Sequence, residues 1–142
     1  MRKLRAALLE TIEELPETRL YRPTDRPGWT IKHELSSLAA SDEELAHVLG
    51  RLRAGEVSAD LHLRRFRGER MWEAQELQLT PLREHLVATG ERAVAAVEAH
   101  AHDLVDAPLA IVGRELSTAR DYFDSHLEAA RMGLQRIREA MQ

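Results

Sequence analysis

The sequence predicts an all-α protein, a four-helix bundle. Three observations predict it. Four segments carry apolar residues at three- and four-residue steps, the period of a helix face. Proline, glycine and capping residues punctuate the chain between those segments. The only β-like run, Leu109–Ala110–Ile111–Val112, is too short to build a sheet.

The first helix is predicted over 3–15, where Leu4, Leu8, Ile12 and Leu15 recur at helical spacing and Pro16 stops the run. Arg22–Pro23–Thr24–Asp25–Arg26–Pro27–Gly28 is a loop by its proline and glycine content. The second helix is predicted over 30–53, opening at Thr30 as N-cap and ending near Gly55. Ile31, Leu35, Leu38, Leu45, Leu49 and Leu52 form its apolar face, and Asp42 falls on that same face. The stretch 57–78 is weaker, rich in Arg and interrupted by Gly68, and reads as a loop with a short helix around Glu69–Leu77. Thr80–Pro81 then signals a helix over 81–102, with Leu82, Leu86, Ala93, Val97 and His100 in line. Asp106–Ala107–Pro108 separates it from a helix over 116–140, with Ser117 as candidate cap. Ala119, Phe123, His126, Ala130, Leu134, Ile137 and Met141 give that helix a bundle-seam pattern.

Composition narrows the function classes. A chain of 142 residues is expected to form one domain, 1–142, with a sizeable core. With no cysteine it has neither disulfides nor thiolate metal sites. A net charge of −4 leaves no electrostatic footprint for nucleic acid. No apolar run reaches the roughly 18 residues that span a membrane. The N-terminus reads as an amphipathic helix rather than a signal peptide, so a cytoplasmic protein is expected. The chain has no Asn, and Arg outnumbers Lys 18 to 2. Heat adaptation fits this composition; for the arginine bias a GC-rich genome fits equally.

The block Gly28–Trp29–Thr30–Ile31–Lys32–His33–Glu34–Leu35–Ser36–Ser37–Leu38 resembles the start of the second helix in the DinB-like four-helix bundles. The resemblance implies a metal-binding His eight residues after the Trp, where this chain has Ser37. It also implies a His-x-x-x-His pair late in the fourth helix. Gly133–Leu134–Gln135–Arg136–Ile137–Arg138 is similar to the family's closing segment, which places Ala129 and Gly133 at the two His positions. On a shifted register the pair becomes Tyr122 and His126. The resemblance thus implies the family's fold with its metal ligands lost. The expected protein is metal-free and binds a small molecule or a protein partner through the bundle cleft. The alternative is a divalent-metal enzyme, with zinc or nickel, of the thiol-dependent S-transferase or isomerase type and with a relocated His site. Such bundles often pair, and Trp72 offers apolar surface for a homodimer.

The candidate cleft residues are His33, Ser37, Asp42, His100, Tyr122 and His126. His100 and His126 lie on apolar stripes, as core histidines or as a relocated site. His33 is one turn before Ser37, as a solvated first-turn residue or a substitute ligand. Asp42 on an apolar face requires a partner; Arg120 and Arg131 are candidates, and a polar pocket is the alternative. His85 is expected at the surface, and His47, His62 and His102 carry no positional argument. Histidines 100 and 102 point about 200° apart on a helix, so they are not a helical chelate. Arg64–Arg65–Phe66–Arg67–Gly68–Glu69–Arg70 reads as a solvated loop beside Glu73 and Glu76 rather than a nucleic-acid surface. Trp29, beside the cap, is expected to be largely buried, at about 3–5 kcal/mol for Trp→Ala.

Overall fold

The structure, a computed structural model, describes residues 1–54, 60–61, 63–114 and 118–142. In chain order it comprises α1 (Arg2–Glu13), a 3-10 turn (Glu17–Arg19), α2 (Ile31–Arg53), β1 (Asp60–Leu61), α3 (Arg64–Gln75), α4 (Leu79–Leu104), β2 (Ala110–Ile111) and α5 (Ala119–Met141). The four-helix bundle is built from α1, α2, α4 and α5. Helix α2 is central and packs against α4, α3 and α5, while α1 packs against α4 and α5. Burial on nearly all sides of α2 follows from that position.

Local chemistry explains the helix starts. Gly28 adopts φ +78°, which an L side chain rarely tolerates, and turns the chain into Trp29. Thr30 then caps α2 through a capping box. Its Oγ1 accepts the His33 amide at 3.3 Å, and the Thr30 amide donates to His33 Nδ1 at 3.0 Å. Helix α5 opens the same way with Thr118 and Asp121. The candidate cap Ser117 and the end marker Gly55 lie outside the described residues. Helix α4 begins two residues before the predicted start, at Leu79, with Gln78 as N-cap. Pro81 is therefore its third residue, tolerated because first-turn amides have no helical acceptor.

Two expectations need correction. The stretch read as loop and short helix is helical from Arg64 through Gly68 to Gln75. Only Ala74 is buried in it, so it lacks the apolar stripe that periodicity detects. The run 109–112 does pair: Ala110 and Ile111 lie parallel to Asp60 and Leu61, tying the α2–α3 connection to the α4–α5 connection. The pairing is two residues long and leaves the all-α class unchanged.

Trp29 is half-buried, not fully buried. The Arg26 guanidinium covers its face 4.0 Å from the ring centroid, and the His33 ring is 5.8 Å away. Cation–π cover on an accessible ring replaces core packing. Trp29→Ala should therefore cost about 1–2 kcal/mol rather than the full-burial value. Urea denaturation checks this; a loss above about 3 kcal/mol would mean a core role.

The apolar core has two parts. One joins Leu8, Ile12, Leu35, Leu82, Leu86, Leu134 and Ile137; the other joins Leu45, Leu49, Leu52, Ala93, Ala119 and Tyr122. Between them, α2 contributes Ser41, Asp42 and Glu44, α4 contributes Thr89 and Gly90, and α5 contributes His126. A buried polar layer thus crosses the middle of the bundle. No helix is long and apolar enough to cross a membrane among the described residues.

Candidate functional site

Within this layer Asp42 is 4% exposed and needs compensation. It pairs with Arg5 from α1 on one side and lies 3.4 Å from His126 Nε2 on the other. The expected partners Arg120 and Arg131 instead face Asp106 and Glu128 at the surface. Arg5 also donates to the Leu86 carbonyl of α4. It reaches these groups across Gly90, where a Cβ would overlap the guanidinium. Glycine at this site in α4 makes the passage for that side chain.

Beside the Arg5–Asp42–His126 chain is a second buried acid. Glu44 is 1% exposed and accepts the Tyr122 hydroxyl at 2.9 Å through Oε1. Arg114 Nη1 lies 2.8 Å from the same oxygen, and Arg67 Nη1 lies 3.5 Å from Oε2. Oε2 itself has no hydrogen bond. Arg67 Nη2 donates to Ser37 Oγ at 3.1 Å. Burial pushes the Tyr122 phenol well above its usual pKa, and the Glu44 carboxylate and the bond to it act in the same direction. Tyr122 is therefore a fixed neutral donor. For Arg114, burial works against the charge, but hydrogen bonding and attraction to Glu44, with smaller contributions from Tyr122, raise its pKa.

These groups line a cleft of about 130 Å³ with Ser41, Ser125, His126 and Ala129. Arg67 and Arg114 keep about a third of their side-chain surface exposed, so the cleft opens toward solvent through its cations. The Arg5–Asp42 pair is internally neutral. Among the described residues, two guanidiniums against one carboxylate leave the cleft at +1. Among the described residues no hydrogen bond joins Ser41 or Ser125 to His126, so the nucleophile–base contact of a serine relay is not formed. A larger groove of about 360 Å³ between α1 and α4 is walled by Leu9, Val87 and Val94 and edged by Arg2, Arg5, Glu91 and Glu98, with Arg2 paired to Glu98 at 2.6 Å.

Of the six candidates, Tyr122 and His126 line the Glu44 cleft, Ser37 accepts from its Arg67, and Asp42 lies behind it against His126. His33 is spent on the α2 capping box. His100 lies toward the end of α4, half-buried, 3.5 Å from Arg53. His85, expected at the surface, is half-buried and paired with Glu43 at 3.1 Å. His47 stacks on Phe66 with ring centroids 4.4 Å apart, His102 is exposed, and His62 lies outside the described residues. Trp72 is 71% exposed. The sequence reading did not single out Arg5, Glu44 or Arg114. It placed Arg67 in a solvated loop, whereas Arg67 sits on α3 and turns onto α2.

The positions that the family resemblance assigns to a metal do not fit one. Ser37 receives a guanidinium, Ala129 has no ligating atom, and a side chain on Gly133 would press on Leu38, with its Cβ 3.3 Å from Leu38 Cδ2. No group of three His, Asp or Glu side chains converges to hold a metal ion among the described residues.

The fold is that of the DinB-like all-α bundles. Two solved structures share it. The mycothiol-dependent maleylpyruvate isomerase superposes with a TM-score of 0.82 at 13% identity, over 96% of this chain and 57% of that one. A histidine-to-alanine mutant of a mycothiol-dependent maleylpyruvate isomerase gives 0.79 at 14% identity over the same shares. The chain thus spans little more than half the length of these enzymes. No family profile and no curated protein matches the sequence.

Proposed function

We propose that this chain is a metal-free ligand-binding protein of the DinB-like fold that takes a small anionic molecule in the cleft between α2, α3 and α5. The observation that carries the reading is the pair Arg67 and Arg114, anchored on buried Glu44 yet partly open to solvent. Guanidinium donors held in place are suited to carboxylate or phosphate. The cleft's net charge of +1 favours an anion. The test is calorimetric titration with propionate. Arg114→Ala should weaken binding about ten- to a hundredfold, the value of a lost charge-assisted hydrogen bond. Unchanged affinity in that variant removes the reading.

The likeness to an isomerase named as mycothiol-dependent favours a second reading, a divalent-metal enzyme of the thiol transferase or isomerase type. Elemental analysis of untagged protein separates the two. About one equivalent of zinc or nickel, lost on His126→Ala, would favour the enzyme. Self-association through the face bearing Trp72 belongs to the same proposal. Light scattering at micromolar concentration is expected to give a dimer, and a monomer removes that part.

A further inference from the structure

We infer that the groove between α1 and α4 is a docking surface for a basic amphipathic helix of a partner protein. Two stripes of side chains make the groove. On α1, Arg2, Ala6, Leu9 and Glu13 follow one another at helical steps. On α4, Val87, Glu91, Val94 and Glu98 do the same. The two helices run antiparallel. Arg2 meets Glu98 at one end, and Arg83 meets the Ile12 and Leu15 carbonyls toward the other. Every lining residue comes from α1 or α4, and the walls are small and apolar. Val87 is 37% exposed, and Ala6 and Ala95 are exposed as well. Two antiparallel rows at this period leave a trough that accepts the ridge of a third helix. From Val87 to Glu98 the trough runs roughly 17 Å, about three helical turns.

Charge decides which helix fits. The nearby cations are drawn off the trough. Arg5 passes inward to Asp42, and Arg83 is spent on the two α1 carbonyls. Arg92 lines a separate depression with Phe66 and Arg70 of α3. The acids remain. Glu84, Glu91 and Glu98 recur every seven residues on α4, which keeps them along one side, and all three are exposed. Glu98 is paired with Arg2, while Glu84 and Glu91 form no ion pair among the described residues. With Glu13 on the facing stripe, four carboxylates against the Arg2 guanidinium leave the rim at −3. Lys3 and Glu10, each one position round from the α1 stripe, cancel. A second copy of this chain would set −3 against −3, and nucleic acid or an anionic lipid surface is repelled for the same reason. Arg or Lys flanking an apolar ridge at heptad spacing meets the glutamate row as oppositely charged flanking residues meet in paired helices.

The test is fluorescence anisotropy of the full chain with two labelled synthetic helices of about three heptads. Both carry Leu and Ala on one face at three- and four-residue steps. One has Arg on the flanks of that face, the other Glu. The Arg helix should bind at least about tenfold more tightly than the Glu helix, and added salt should narrow the gap. Glu84→Lys combined with Glu91→Lys should reverse the preference; both positions are exposed, so the thermal melt should stay unchanged. Ala6→Arg places a cation in the trough and should weaken the Arg helix about tenfold. Equal binding of the two helices, or binding of neither, overturns the inference. An unchanged preference in the double variant overturns it as well, because the Arg helix then sits elsewhere on the chain. Light scattering tests the second copy: a dimer dissolved by Ala6→Arg but not by Trp72→Ala would mean that the chain covers its own groove, and would exclude the partner helix.

Discussion

Arg5→Ala should lower the unfolding free energy by about 3–5 kcal/mol, the usual result of removing one member of a buried ion pair. The size follows from what stays behind. Asp42 is 4% exposed, and His126 would be its remaining charged or titratable partner among those described. The Leu86 carbonyl would also lose its donor. Urea denaturation at neutral pH measures the loss; a change under about 1 kcal/mol would show that Asp42 is compensated by other means. Adding Asp42→Leu should restore part of it, because the orphaned charge goes with the substitution. Gly90→Ala gives a sharper control. Helix propensity alone favours alanine by about 1 kcal/mol. Against Arg5 the new methyl overlaps the guanidinium and should destabilise. In the Arg5→Ala background the same substitution should stabilise, so its sign reverses between the two backgrounds. Stabilisation in both backgrounds would mean that Arg5 does not need the passage over Gly90.

The second large effect concerns Tyr122. Tyr122→Phe keeps the ring but removes the donor to a buried carboxylate, at a cost of about 1.5–3 kcal/mol. The pH dependence has a definite sign. The phenol's pKa is raised in the folded state. Its stabilising contribution is thus complete below the unfolded value of about 10 and is lost as pH rises through the folded value. The unaltered chain should therefore lose stability above about pH 10 more steeply than Tyr122→Phe, and the gap between them should narrow. Parallel alkaline profiles would mean that the Tyr122 pKa is not raised on folding.

The bundle was legible because its helices bury apolar stripes. Leu35, Leu38, Leu45 and Leu49 announce α2 without reference to any other segment, and Thr30 announces its start. Helix α3 was illegible for the converse reason. It is held by ion pairs such as Arg65–Glu69 and Arg70–Glu73 and by docking on α2, which leave no periodic apolar pattern. The site divides along the same line. Asp42 and His126 could be read because a polar group on an apolar face is locally anomalous; Tyr122 entered only through the shifted register of the family resemblance. Glu44 carried no such signal, since its face, Ser37, Ser41, Glu44 and Val48, is mostly polar and reads as solvated. The arginines carried none. Which of 18 arginines turns inward depends on partners far along the chain: Arg5 meets Asp42 37 positions away, and Arg67 meets Ser37 30 positions away.

The small residues at the cleft give the fold an adjustable aperture. Ser41, Ser125 and Ala129 border it without taking part in the Glu44 network. Ser125 and Ala129 are exposed, so larger side chains there would point toward open solvent as well as the mouth. A graded series at Ala129, through Val and Leu to Phe, would narrow entry stepwise while leaving the charges beneath untouched. Such a series would turn the bundle into a molecular sieve whose mesh and electrostatics are set by different residues.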